Sequence, residues 1–242
     1  MTKIKLVIAY IVQNEEFWMP LSLKSVLPVA DKIIIIDGFS KDKTLEKIDE
    51  FNDERIEIHS IRYKSELKTA NGKQRNEYIK ILKEKYPDYW CLVLDADEIV
   101  NDNFYMLKKA LEKAETDNFT HFDIHMEHFI WNLSLVDSIS ERHYVPRRLF
   151  KVSDVNKYPT VEHPILSVNG QLGKMDMFTI FHYGYLNGVK DVMKKYHNHI
   201  KKSNIHSKEF LDSWKICHVL GSYPVKEYTG THPKVIKDFF GI

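Results

Sequence analysis

Apolar runs rich in β-branched residues punctuate the first hundred or so positions, at Leu6 to Val12, Ile33 to Ile36, Ile56 to Ile58 and Cys91 to Leu94. Between them apolar residues recur at helical spacing: Phe17, Leu21 and Leu27, then Leu45, Ile48 and Phe51, then Tyr78, Ile79, Leu82 and Tyr86. Strands that are apolar throughout and alternate with amphipathic helices predict a mostly parallel sheet covered on both faces. Such sheets bind ligands at the carboxyl ends of their strands. The residues there are Gln13 and Asn14, Asp37 and Gly38, and Asp95 to Glu98, so every junction is polar or acidic.

From about residue 118 the period changes. His121 to Trp131 alternates, with Phe122, Ile124 and Met126 on one face and His121, Asp123, His125 and Glu127 on the other, which predicts a half-buried strand. Further strands are expected at Tyr144 to Val152 and Met177 to Tyr183. Val189, Met193, Tyr196 and Ile200 space as a helix carrying Lys190, Lys194, Lys195, Lys201 and Lys202, and a short helix is expected at Val235 to Phe240. There is no internal repeat and no linker rich in Pro, Gly or Ser.

Composition narrows the function classes. The chain has 242 residues, with 35 Lys plus Arg against 34 Asp plus Glu and a formal charge of +1, so no global field attracts nucleic acid. At 43% hydrophobic residues it carries enough apolar side chain for one large core, which excludes disorder as the main state. Cys91 and Cys217 lie far apart in no CxxC pattern, arguing against a disulfide scaffold or a cysteine zinc site, and a reducing cytosol is the expected location. Lys3 and Lys5 before an apolar run imitate a signal peptide, but Gln13, Asn14, Glu15 and Glu16 follow with no small-residue cleavage site. No stretch approaches the roughly 18 to 20 apolar residues needed to span a bilayer. A soluble or at most peripheral protein is expected.

The chemistry concentrates at two strand ends. In Leu92-Val93-Leu94-Asp95-Ala96-Asp97-Glu98 a buried strand delivers two carboxylates spaced two apart, which in an extended chain project to the same side. Two hard oxygen donors at one point suit Mn²⁺ or Mg²⁺ and, through the ion, a diphosphate. The alternative is that these acids begin a loop and cap a helix starting near Asn101. In the second segment, Ile33 to Thr44, Asp37 can accept hydrogen bonds from a base edge or a ribose, while Ser40 or Asp42 can cap the next helix.

Taken in order, Asn14-Glu15-Glu16, Asp37-Gly38-Phe39-Ser40-Lys41-Asp42-Lys43-Thr44, Gly72 to Asn76 and Asp95-Ala96-Asp97-Glu98 resemble the motifs of glycosyltransferase family 2. The resemblance spans about the first hundred residues. It implies a GT-A-like, Rossmann-type α/β fold, a mostly parallel sheet flanked by helices with a C-terminal helical extension. It also implies sugar transfer from a nucleoside diphosphate sugar, UDP foremost and GDP next, with inversion and with Mn²⁺ or Mg²⁺. By the same resemblance Asn14 lies at the donor crevice, Asp37 holds the nucleoside, Arg75 lies near the donor, Asp95 holds ribose or sugar, and Asp97 ligates the metal. Phe39 stands where the family usually has Gly.

Arg147-Arg148-Leu149-Phe150, Val161-Glu162-His163-Pro164 and Phe181-His182-Tyr183-Gly184-Tyr185 resemble later elements of some bacterial and viral members, in which a late His completes the metal shell; His182 takes that role here. An inverting transfer needs a base at the acceptor hydroxyl. Glu162 is the first candidate, with Asp137, Glu141 and Glu127 behind it, although its Glu-His order reverses the family's His-Glu. On this reading residues 1–118 form the nucleotide-sugar half, 119–185 the acceptor half and 186–242 the extension. The acceptor is a glycan, a lipid-linked saccharide, a protein or a nucleobase.

Other readings have less support. His121, Asp123, His125 and Glu127 share a strand face, but four successive same-face residues cannot all surround one tetrahedral zinc ion, and no His-Glu-x-x-His helix is present. A phosphatase using Asp95 as nucleophile lacks its further motifs, and a nucleotidylyltransferase lacks an early Gly-rich loop, since residues 9–16 contain no Gly. A non-catalytic nucleotide-sugar-binding or glycan-binding protein of the same fold is the remaining alternative. The lysine-rich helix admits peripheral contact with an anionic membrane, although such helices more often pack their apolar stripe on the core.

Overall fold

In the computed structural model, residues 4–61, 70–138, 147–159, 165–186, 188–190, 192–193 and 208–242 are described. The first half consists of β1 (Leu6–Val12), α1 (Met19–Val26), β2 (Lys32–Asp37), α2 (Thr44–Asp49), β3 (Ile56–Ser60), α3 (Ala70–Lys85) and β4 (Trp90–Asp95). The strands run parallel in the order β3-β2-β1-β4. Because strand side chains alternate, the apolar runs of β1, β2 and β4 each feed two cores, whereas β3 adds Ile56 and Ile58 to one of them. Leu6, Ile8, Tyr10, Ile33, Ile35, Leu92 and Leu94 pack on one face, which α1 covers with Met19 and Leu23. Val7, Ala9, Ile34, Ile36, Cys91 and Val93 pack on the other, under Tyr78, Ile79 and Leu82 of α3. That two-sided burial is why these strands read as unbroken apolar runs.

The second half comprises β5 (Glu98–Val100), α4 (Phe104–Asp117), β6 (Phe119–Ile130), β7 (Leu135–Asp137), β8 (Arg147–Lys151), β9 (Gln171–Tyr185), α5 (Lys208–Val219), β10 (Val225–Glu227) and α6 (Lys234–Phe240). Here the sheet is mixed. β8 lies antiparallel between β4 and β6, while β9 runs parallel to β6 and antiparallel to β5. As the alternation predicts, Phe122, Ile124 and Met126 are buried. α4 ends at Asn118 in a left-handed conformation, φ 59°, whose N–H returns to the Ala114 carbonyl.

Several expectations need adjusting. The helix after β5 begins at Phe104, past Asn101, and the strand expected from Tyr144 is described from Arg147, residues 139–146 lying outside the described set. Val189, Lys190, Val192 and Met193 are helical, and the rest of the lysine-rich segment, within 194–207, also lies outside it. The extension contributes a strand as well as helices: β10 pairs with β7, and Ile236 of α6 packs with Trp18, Leu21, Phe129 and Tyr183. No described helix is long and apolar enough to cross a membrane.

Gly173 on β9 allows the close approach of β6, since a methyl group there would overlap the buried Phe122 ring and lie 3.3 Å from Phe119. Gly173→Ala is expected to destabilise the fold by about 1–3 kcal/mol, read as a lower midpoint in urea unfolding; an unchanged midpoint would show that Phe122 gives way freely.

Candidate active site

The loops following β1 and β2 are laced together by side chains bonding to the main chain. Gln13 Nε2 donates to the Gly38 carbonyl at 2.6 Å, Asn14 Oδ1 accepts from Lys41 N at 2.8 Å, and Glu16 Oε2 accepts from Lys43 N at 2.9 Å. In return Ser40 Oγ accepts from Asn14 N, Thr44 Oγ1 from Glu15 N and Asp42 Oδ2 from Glu16 N. An added Cβ on Gly38 would sit 3.3 Å from Gln13, so the glycine keeps this seam tight.

Asp37 is fully buried, and its carboxylate accepts from Phe39 N at 2.9 Å, Ser40 N at 3.1 Å and Ser40 Oγ at 2.6 Å. The side chain expected to hold a nucleoside therefore shapes its own turn. Phe39 occupies a left-handed conformation, φ 62°, and is 42% exposed. A non-glycine residue there costs about 1–2 kcal/mol, which accounts for a glycine preference at this place.

Beyond β4 the chain turns at Ala96 and Asp97 before β5, so the extended geometry behind the expected convergence of Asp95 and Asp97 is absent. Asp95 enters a buried charge network. Its Oδ1 accepts from Arg75 Nη2 of α3 at 2.6 Å and its Oδ2 from Arg148 Nη2 of β8 at 3.1 Å. Arg148 Nη2 also donates to Glu98 Oε1 at 2.5 Å, and Glu98 Oε2 accepts from Asp95 N at 2.8 Å. Burial pushes the Asp95 carboxyl up, but the two guanidiniums outweigh it and hold it well below the usual carboxylate range. Glu98, only 1% exposed, is pushed by burial up to about 8 against the pull of Arg148. Arg75 also stands over the Tyr158 ring, and its buried Nη1 has no hydrogen-bond partner among the described residues.

Asp97 lies close enough to this network to act on the Asp95 and Glu98 carboxyls, but it contacts a different side chain. Its Oδ2 lies 3.5 Å from His182 Nε2, and His182 Nδ1 lies 3.1 Å from His128 Nδ1. Among the described residues no group of three His, Cys, Asp or Glu side chains could hold a metal ion by itself. Mg²⁺-type ions, however, take one or two protein ligands and complete their shell with phosphate oxygens and water. Two donors sharing such an ion are each about 2.1 Å from it and so at most about 4.2 Å apart. The 3.5 Å separation, a carboxylate and an imidazole, fits that requirement.

The sequence model of Glycosyl transferase family 2 matches residues 8–167. The chain belongs to that family. No curated protein matches. A mannosyltransferase from Pyrobaculum calidifontis, in complex with GDP-Man and Mn²⁺, is 10% identical and superposes with a TM-score of 0.52 over 98% of this chain and 79% of that one. The fold is GT-A. Glucosyl-3-phosphoglycerate synthase from Mycobacterium tuberculosis, in complex with Mn²⁺ and UDP-glucose, is 14% identical over 52% of this chain with a TM-score of 0.37. The aligned part is 44% of the synthase, so the chain spans less than half of that protein.

Within this family member, the expected site residues fall into separate groups. Arg75 and Asp95 meet, Asp97 and His182 meet, and Asn14 and Asp37 lie in the laced loops. Asp137 is buried at the end of β7, where it accepts from the Tyr223 hydroxyl at 3.1 Å. Glu162, its neighbour His163 and Glu141 lie outside the described residues. His125 and Glu127 bond to each other at 2.9 Å, while His121 is buried and contacts the Thr120 hydroxyl. Sequence reasoning assigned no role to Glu98, Arg148 or His128. The readable signal for His128 is its parity with Phe122, Ile124 and Met126, which sets an imidazole on the apolar face of β6.

A carboxyl group raised in the folded state contributes most stability below its unfolded value of about 4.3 and progressively less as pH rises toward the folded value. The stability of wild type minus that of Glu98→Gln is accordingly expected to fall between about pH 5 and about pH 8 in urea titrations. A difference that stays level or grows would show Glu98 to be ionised throughout.

Proposed function

We propose that this chain transfers a sugar from a nucleoside diphosphate sugar, UDP foremost, to an acceptor hydroxyl, inverting the anomeric carbon with the help of Mn²⁺ or Mg²⁺ held by Asp97 and His182. The observation that carries this reading is the placing of that acid and imidazole, 3.5 Å apart, beside the Arg75-Asp95-Arg148 network at the end of the parallel sheet. A leaving diphosphate gathers negative charge, and fixed cations aimed at it lower the barrier. The bound ion supplies Lewis-acid stabilisation of that leaving group. The GDP-Man and Mn²⁺ bound by the mannosyltransferase of like fold support the donor class.

The protein groups divide the remaining work. Arg75 offers its buried Nη1 to a donor oxygen. Asp95, held anionic and about one-third exposed, keeps lone pairs for a ribose or sugar hydroxyl. Asp37 and Asn14 act on the nucleoside through the loop main chain they hold in place. Glu162 is the proposed base, with Asp137 as the second candidate. The described residues flanking Glu162 are tied to site elements: Tyr158 N donates to Asn76 Oδ1 of α3 at 2.8 Å, and the Leu166 carbonyl accepts from Arg147 at 3.1 Å.

Thermal melts with UDP, GDP and Mn²⁺, separately and combined, test the reading. UDP with Mn²⁺ at about 100 times its Kd is expected to raise the Tm of wild type by about 5–10 °C, and Asp97→Asn to lose the metal-dependent part while melting normally without ligand. A nucleotide shift indifferent to Mn²⁺, or retained whole in Asp97→Asn, would overturn it.

A further inference from the structure

His128 and His182 are direct partners in the parallel pairing of β6 and β9, and their rings meet at 4.9 Å between centroids. Their contact is between two Nδ1 atoms 3.1 Å apart. A neutral imidazole carries one N–H, and a nitrogen-to-nitrogen hydrogen bond needs one protonated partner and one bare one. With both rings neutral, two arrangements satisfy this contact. In one, His128 Nδ1–H donates to His182, leaving the N–H of His182 on Nε2 and aimed at Asp97. In the other, His182 Nδ1–H donates to His128, and His182 Nε2 turns a bare lone pair toward the Asp97 carboxylate. A lone pair and a carboxylate oxygen 3.5 Å apart repel unless a cation lies between them.

We propose that His128 is a positioning residue for the metal pair: by accepting from His182 Nδ1–H it holds His182 in the tautomer whose Nε2 can bind a divalent cation together with Asp97. This rests on the reading of Asp97 and His182 as metal ligands. Metal-binding imidazoles commonly have their second nitrogen fixed in this way, usually by a carboxylate or a carbonyl. Here another imidazole does it. The arrangement therefore has a property those partners lack: the same pair of rings also serves the cation-free state, with the shared bond reversed and each ring still holding one N–H. Glu98, paired with His182 across β5 and β9, is engaged with Arg148 and the Asp95 main chain.

The test uses the whole 242-residue chain with UDP present. Free Mn²⁺ is measured by electron paramagnetic resonance in wild type, Asp97→Asn, His128→Phe and His128→Asn, and histidine ring ¹⁵N spectra of wild type are recorded with and without Mg²⁺. His128→Phe keeps a ring but no acceptor and is expected to weaken Mn²⁺ binding about 10–100-fold, whereas His128→Asn, which restores an acceptor, recovers most of it. In wild type, Mg²⁺ is expected to leave His182 with Nδ1 protonated and Nε2 bare. If wild type binds Mn²⁺, Asp97→Asn does not, and His128→Phe binds like wild type, the role of His128 is overturned and the metal pair stands. If wild type and Asp97→Asn bind alike, or neither binds, the metal reading itself fails. Should His128→Phe not fold, the wild-type spectra decide: a Nε2-protonated His182 in the Mg²⁺ state overturns the inference.

Discussion

Arg148 reaches from β8 to Asp95 at the end of β4 and to Glu98 at the start of β5, and with Arg75 from α3 it closes a network of two cations and two acids at the core's edge. Charges so withdrawn from water are costly alone and tolerable together. Such a network adds little net stability, but removing one member strands its partners, so it fixes geometry strictly. It sets the direction in which the chain leaves β4, and thereby where Asp97 emerges. Through Arg148 it also adds a charged tie between the parallel and mixed parts of the sheet, which already share a hydrophobic core.

The laced loops apply the same logic at the other strand ends. Asn14, Glu16, Ser40, Asp42 and Thr44 spend their polar atoms on one another's main chain, and Asp37 spends its own on Phe39 and Ser40. Many of the polar residues at this crevice therefore build its wall. The surface these loops hold still consists of main chain and the exposed Phe39, next to the open side of Asp95.

This division explains what the sequence made legible. β1, β2 and β4 were readable because burial on both faces removes polar residues from their interiors, the edge strand β3 showed only Ile56 and Ile58, and α3 was readable from Tyr78, Ile79 and Leu82. β5, β7 and β10, three residues each, are too short to show a period. Asp95 and Asp97 were recognisable as important, yet the spacing rule assumed an extended chain, and the turn at Ala96 and Asp97 sends the two carboxylates to different partners. Glu98 and Arg148 were passed over because a buried charge is indistinguishable in sequence from a solvated one. His128 lies on the opposite face of its strand from the conspicuous polar row His121, Asp123, His125 and Glu127, so that row did not mark it out.

The pairing of Asp97 with His182 also has a temporal side. The carboxylate belongs to the turn after β4 and the imidazole to β9, with β6 and β8 intervening along the chain. During synthesis strands β1 to β4 leave the ribosome well before β9 and can pair first. The acid at their edge then waits, solvated, until the fifteen residues of β9 arrive and align beside β6. Until that late strand is in place, the nascent protein has an open crevice at the strand ends without the imidazole that faces its acid.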